Sequence, residues 1–127
     1  MKLGKIYDFL ISCGIQVDPR PKSQLEKQLS QLKEDYRGLK EETKKTFDLE
    51  SLKNPYADSR ILYGNREKEI KKILLGIDID VAEILLADRL KSGGKKIDLL
   101  ISHHPQGFAL AGLYDVMGMQ VDVLAQA

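Results

Sequence analysis

Two short apolar runs, residues 73–77 and 97–101, with a helix signal between them, constrain the fold of this chain more than any other feature. Ile73, Leu74, Leu75, Gly76 and Ile77 follow one another without a polar break, as in a strand buried on both faces. Asp80 with Glu83 three residues later is a capping-box pattern, in which two carboxylates satisfy free amides at a helix start. Val81, Ile84, Leu85, Leu86 and Leu90 supply the expected buried side of that helix, and Gly93-Gly94 end it. The second apolar run follows. Strand, capped helix and strand in about 30 residues make a βαβ unit, with parallel strands and a right-handed crossover. The expected fold class is α/β.

The N-terminal part reads as helical. Leu3, Ile6, Tyr7, Leu10 and Cys13 fall at helical spacing, with Gly14 as the expected stop, and Asp18-Pro19-Arg20-Pro21 breaks the chain. Ser23 with Glu26 forms another capping-box pattern. It opens an expected helix over 23–47, with Leu25, Leu29, Leu32, Tyr36, Leu39 and Phe47 on a narrow stripe and Thr43 filling its gap. So thin a stripe packs against one other helix, either in a hairpin with the first helix or across a subunit contact. Residues 48–65 read as irregular, with turns at Asn54-Pro55 and Gly64-Asn65 and a short strand over 60–63. A last helix is expected from about Phe108 to the end, with Leu110, Leu113, Tyr114, Met117, Val121 and Leu124 along one side. The division expected is 1–47, N-terminal helices, and 48–127, an α/β lobe. No capping signal follows this last helix, and no strand covers it, so the sequence reads as cut short at Ala127.

Composition narrows the functions available. The length of 127 residues is one domain's worth, and 43% hydrophobic residues are enough for a core. Twenty basic against 19 acidic residues leave a net charge of +1, which gives no electrostatic case for nucleic acid or an anionic membrane. Tryptophan is absent, which argues against base-stacking platforms. Cys13 is the only cysteine, so neither an internal disulfide nor a zinc-thiolate cluster is open to one chain. Cys13 reads as a small apolar filler, and Met117 and Met119 as packing residues. With no signal-peptide core and no apolar run near the roughly 20 residues that cross a bilayer, the expected setting is soluble and cytoplasmic. Neither a phosphate-binding loop nor a nucleophile elbow is present.

What chemistry the chain carries gathers at one sheet edge. Ligands of parallel sheets bind beyond the carboxyl ends of the strands. Asp78 and Asp80 stand at that end of the first core strand, and His103 and His104 at that end of the second. Imidazole suits zinc, iron, nickel or copper, and carboxylates extend the range towards manganese and magnesium. Adjacent histidines on an extended backbone face opposite sides, but the alternation relaxes before Pro105. Either one histidine binds while the other supports it, or each holds a different ion of a pair. A histidine is more often an ordinary partly buried residue than a ligand, yet these are the only two in the chain and they sit together. Asp80 is explained by its capping position. Asp78 is not, and is the better carboxylate candidate. Asp98 precedes the second run, at the wrong end, and reads as solvated or in a turn.

The segment Ile97-Asp98-Leu99-Leu100-Ile101-Ser102-His103-His104-Pro105 closely resembles the Asp-Leu-Ile-Ile-Ser/Thr-His-His-Pro element of the GTP cyclohydrolase I type 2-like, or Nif three-like, family. Leu75-Gly76-Ile77-Asp78 resembles that family's strand ending in aspartate before a helix. Asp58-Ser59 to Gly64 is a looser echo of its Trp-Asp-Asn…Gly segment, without the tryptophan. The resemblance covers about residues 58–127 and leaves the 23–47 helix as an insertion. It implies one lobe of a two-lobed α/β protein, assembled as a toroidal homo-hexamer with a dinuclear metal centre facing an internal cavity. By that resemblance His103 and His104 each ligate one divalent ion, of zinc, iron, manganese, nickel or magnesium. The family completes its site with a carboxylate from a downstream region and a His-x-x-x-Glu pair near its C-terminus; neither region is found in this sequence, which holds no third histidine. The implied function is a metal-dependent hydrolase acting on a small molecule. An Asp-His-His phosphoesterase is disfavoured by Ser102 in place of the aspartate. The alternative is a non-catalytic metal-binding scaffold or regulatory adaptor that works through its assembly.

Overall fold

Prolines divide the N-terminal third. In the computed structural model, which describes residues 1–125, helix α1 (Leu3–Val17) ends at Asp18 and α2 (Lys22–Gly38) starts directly after Pro21. Proline lacks an amide and has φ fixed near the helical value, so it suits the start of a helix and not its interior. Gly14 is not the stop expected of it: α1 runs through it. A Cβ at this position would lie 3.1 Å from the Tyr56 ring, so the glycine admits a close-packed tyrosine. Nor does the Ser23–Glu26 pattern cap α2. Ser23 is already helical, and Pro21 occupies the N-cap with no side-chain bond.

The expected 23–47 helix is broken. Gly38 ends α2, Leu39 and Lys40 are extended, and a separate turn, α3 (Glu41–Lys44), follows. The break lets Phe47 fold back onto Tyr36, ring centroids 4.8 Å apart, with the Lys44 ammonium 5.7 Å from the Tyr36 ring centre. The aromatic end of the stripe thus closes on itself, while α2 buries Leu25 and packs against a 3-10 turn, Leu49–Leu52.

Around that turn the loop is held by polar side chains turned inward. Asp48 accepts from the Glu50 amide, and the Arg60 guanidinium donates to Asp48 at 2.8 Å and to the Ser59 carbonyl at 2.8 Å. No strand forms over 60–63, because the segment finds no edge to pair with and Arg60 is spent on its own loop. Asn54, buried, donates to the Tyr7 hydroxyl and the Ser59 carbonyl, each at 2.8 Å, and accepts from the Tyr56 amide at 2.9 Å. Burial raises the pKa of the Tyr7 hydroxyl, keeping it a donor to the Ser59 carbonyl.

The break at residues 18–21 does more than end a helix. Asp18 and Arg20 form a two-pronged ion pair, Nη2 to Oδ2 at 2.9 Å and Nε to Oδ1 at 3.0 Å. Their side chains are only 1% and 5% exposed. Tyr56 donates its hydroxyl to the same carboxylate at 2.9 Å, joining the break to the loop. The start of α1 is pinned to the lead-in of the sheet: the Leu3 amide donates to Lys68 and the Gly4 amide to Arg66, beside an antiparallel bridge between Lys2 and Glu69. Leu3, Leu25, Ile70 and Ala109 are the buried apolar residues among those described, with Arg20 and Asn54 the buried polar ones.

The βαβ unit forms as its pattern requires. Strands β1 (Ile73–Gly76) and β2 (Leu99–Ser102) are parallel, pairing Ile73 with Leu99 through Gly76 with Ser102, and α4 (Val81–Ser92) connects them. Glu83 accepts from the Asp80 amide at 2.9 Å, completing the capping box. The expectation of strands buried on both faces fails. Ile73, Leu75 and Ile77 share one face and are exposed, since a two-stranded sheet carries too little chain to cover both sides. Val81, Ile84, Leu85 and Leu86 of α4 are exposed as well, and its inward side is instead Ala87 and Leu90.

The final helix is two. Gly112 separates α5 (Gly107–Ala111) from α6 (Leu113–Leu124), and a Cβ there would lie 2.6 Å from the Ala57 carbonyl oxygen. Leu110, Tyr114, Met117, Val121 and Leu124 face outward, while Leu113, Val116, Met119 and Val123 are partly covered. The helix is turned relative to the expected stripe, and Asp122 receives a hydrogen bond from Gln24 of α2 at 3.2 Å. The expected continuation to Ala127 lies outside the described residues. No helix among those described is long and apolar enough to cross a membrane.

Candidate metal centre

The carboxyl ends of β1 and β2 bring the sequence-selected residues together. Ladder pairing continues past both strands: the His103 amide donates to Gly76 at 2.9 Å and the His104 amide to Ile77 at 2.8 Å. The two chains therefore leave the sheet side by side, carrying Asp78 next to His104. Asp78 Oδ1 and His104 Nδ1 are 2.8 Å apart. A carboxylate only accepts, so Nδ1 is the donor of this contact, and in a neutral ring the lone pair then lies on Nε2. This is how a carboxylate fixes the tautomer and orientation of a metal-binding imidazole. The His103 ring lies close by, its centroid 5.2 Å from that of His104 and tilted by 32°.

Ser102 shapes the turn that holds the pair. Its hydroxyl lies 2.7 Å from the His104 carbonyl and 3.1 Å from that of Ile77. Its signal in the sequence was its place as the last strand residue before the histidines. Gly76 contributes by what it lacks: a Cβ would stand 2.8 Å from the Asp78 carbonyl oxygen and 2.9 Å from Ile79 Cδ1. Gly76→Ala is therefore expected to cost about 1–3 kcal/mol of stability by overpacking and to part Asp78 from His104. Urea unfolding reads the first effect, and the His104 Nδ1 nitrogen chemical shift reads the second.

The remaining candidates stand apart. Asp80 is engaged with the start of α4, as its capping role requires. Asp98 lies at the opposite end of the sheet, as expected, but it is not merely solvated. It accepts from the Lys71 amide at 3.0 Å and the Lys72 amide at 3.1 Å, which hold its carboxyl below the usual range. It ties the start of β2 to the residues leading into β1.

The donor chemistry suits a divalent ion: two imidazoles, and a carboxylate that orients one of them. Among the described residues no group of three or more His, Cys, Asp or Glu side chains converges as a complete ligand set. His103 and His104 are the imidazoles at this edge, and the Asp78 carboxylate contacts His104. Comparison with protein families, curated proteins and solved structures finds no match to this chain.

Proposed function

We propose that this chain binds divalent metal through His103 and His104, as part of a hydrolase centre of the GTP cyclohydrolase I type 2-like kind. The observation that carries the reading is the 2.8 Å contact between Asp78 and His104 Nδ1 at the carboxyl edge of a parallel sheet. It leaves Nε2 available as a ligand in the place where such sheets hold theirs. The resemblance of residues 97–105 to the family element supports a pair of ions. Divalent ions at such a site supply a water of lowered pKa for attack on a ring carbon or a phosphoester. His103 and His104 hold the ions, and Asp78 keeps the His104 ring in its binding tautomer.

A second reading, a metal-binding scaffold without catalysis, is favoured by the donor count. Two imidazoles fall short of the three protein ligands common in catalytic zinc sites, and no further donor joins them among the described residues. Calorimetric titration of the full chain with zinc, iron(II), manganese, nickel and magnesium tests the shared claim. Saturable binding of at least one ion is expected, and no binding of any would end both readings. Turnover of GTP or of a phosphoester panel by the loaded protein selects the hydrolase. Saturable binding without turnover selects the scaffold.

A further inference from the structure

The amino ends of β1 and β2, at the opposite end of the sheet from the histidines, border a cleft of about 360 Å³. Glu69, Lys71 and Lys72 reach it from the approach to β1, and Gly94, Lys96 and Asp98 from the connection between α4 and β2. Its volume falls in the range of small-molecule sites, about 300–1,000 Å³. Every side chain that lines it is ionisable, so it suits an ionic ligand and not an apolar one.

The charges within the cleft do not cancel. Glu69 is paired with the N-terminal ammonium at 3.1 Å. Asp98, its side chain only 10% exposed, accepts from the Lys71 and Lys72 amides at 3.0 and 3.1 Å, and the Lys96 ammonium stands 3.6 Å from its other oxygen. Both carboxylates are thus engaged by the chain itself. Lys71 and Lys72 are exposed, and neither ammonium has an ion-pair partner among the described residues. Positive charges that nothing else neutralises are the ones an anion gains most from meeting. Gly94, with φ at 79°, adds a wall of bare backbone, which lets a ligand approach the loop closely. Lysine meets phosphate as a point charge, without the fork that selects one planar group. A diphosphate carries charged oxygens at both of its ends, enough for ammoniums that arrive from two segments of chain. We infer that this cleft binds a diphosphate group, held by the ammoniums of Lys71, Lys72 and Lys96, with Asp98 keeping Lys96 in place.

The test uses inorganic pyrophosphate and the full, ¹⁵N-labelled chain in chelator, so that its failure and that of the metal reading are separable. Titration is expected to saturate at one equivalent, with the largest amide shifts at Lys72, Gly94 and Lys96 and weaker binding as salt is raised. The lysines stand in solvent, so glutamine at these positions leaves the circular dichroism unchanged. Lys72→Gln is expected to weaken binding about tenfold, the effect of one charge-assisted contact. Lys72→Gln with Lys96→Gln removes saturation, Lys72→Arg retains it, and Lys33→Gln on α2 changes nothing. An absence of saturable binding would overturn the inference. So would binding indifferent to the double substitution, or shifts gathered at residues 102–107 instead. Inorganic phosphate bound as tightly as pyrophosphate would overturn the assignment of a two-phosphate group.

Discussion

Alanine at both His103 and His104 is expected to abolish saturable divalent-metal binding while leaving the fold intact. Both side chains are exposed, and neither is among the buried residues, so their removal opens no cavity. They are the only imidazoles in the chain, and no other set of donors converges among the described residues. Nothing remains to bind once both are gone. The single variants separate the two arrangements open to adjacent histidines. If each ring holds its own ion, His103→Ala and His104→Ala each lose one of two equivalents. If one binds and the other supports, one single variant loses all binding and the other keeps it at reduced affinity. Asp78→Asn keeps the shape but removes the charge that fixes the His104 tautomer, and a loss of about 10–100-fold in affinity is expected. Calorimetry with metal analysis of the dialysed protein reads all four variants. Unchanged stoichiometry in the double variant would remove the basis of the proposed function.

The second large effect lies far from that edge. Arg20→Met is expected to destabilise the chain by about 3–5 kcal/mol, the cost of leaving a buried carboxylate without its cation. Whole domains are stable by only about 5–15 kcal/mol, so much of the fold's margin rests on this pair. Asp18 keeps the Tyr56 hydroxyl and the residue 20 amide but loses both guanidinium bonds. Titration carries the same signature. The Arg20 guanidinium, bonded to the carboxylate, lowers the Asp18 pKa from 3.8 to about 2. A carboxyl whose folded pKa is depressed contributes stability that is present above its unfolded pKa. That stability is lost as pH falls through the folded value. The wild-type chain is thus expected to lose about 2 kcal/mol between pH 4 and pH 2 from this group. In Arg20→Met that acid limb flattens. Urea midpoints measured at a series of pH values check both effects, and a midpoint unmoved by the substitution at pH 7 would refute the first.

The βαβ unit was legible because its signals are local. The Asp80–Glu83 capping box, the apolar runs and Gly93-Gly94 all act within a few residues, and the parallel pairing follows from the length of the crossover. What failed depended on distant neighbours. A continuous apolar run does not say whether anything lies over it, and Leu75 is left open because no described element reaches that face. Gly14 reads as a helix stop until Tyr56, 42 positions on, is seen against it. The Ser23–Glu26 pattern lost to a proline that had already placed Ser23 inside the helix. At the site, strand ends were enough to bring Asp78 and the histidines together. Sequence could not say that Asp78 turns to His104, or that Asp98 clamps two amides across the sheet, since each rests on the register of β1 against β2.

None of the most deeply buried residues among those described lies in β1, α4 or β2; they lie in α1, the break after it, α2, the loop at Asn54, the approach to the sheet and α5. Rigidity and chemistry are therefore housed apart. Local opening follows burial, so the histidine edge fluctuates at lower free-energy cost than the clasp between Leu3 and Lys68. An ion held there adds its binding free energy to the least protected layer, by RT ln(1 + [L]/Kd). Under the proposed metal reading, occupancy governs how often that edge exchanges its amides with solvent, and the ion acts as a fastener on the half of the chain that packing secures least.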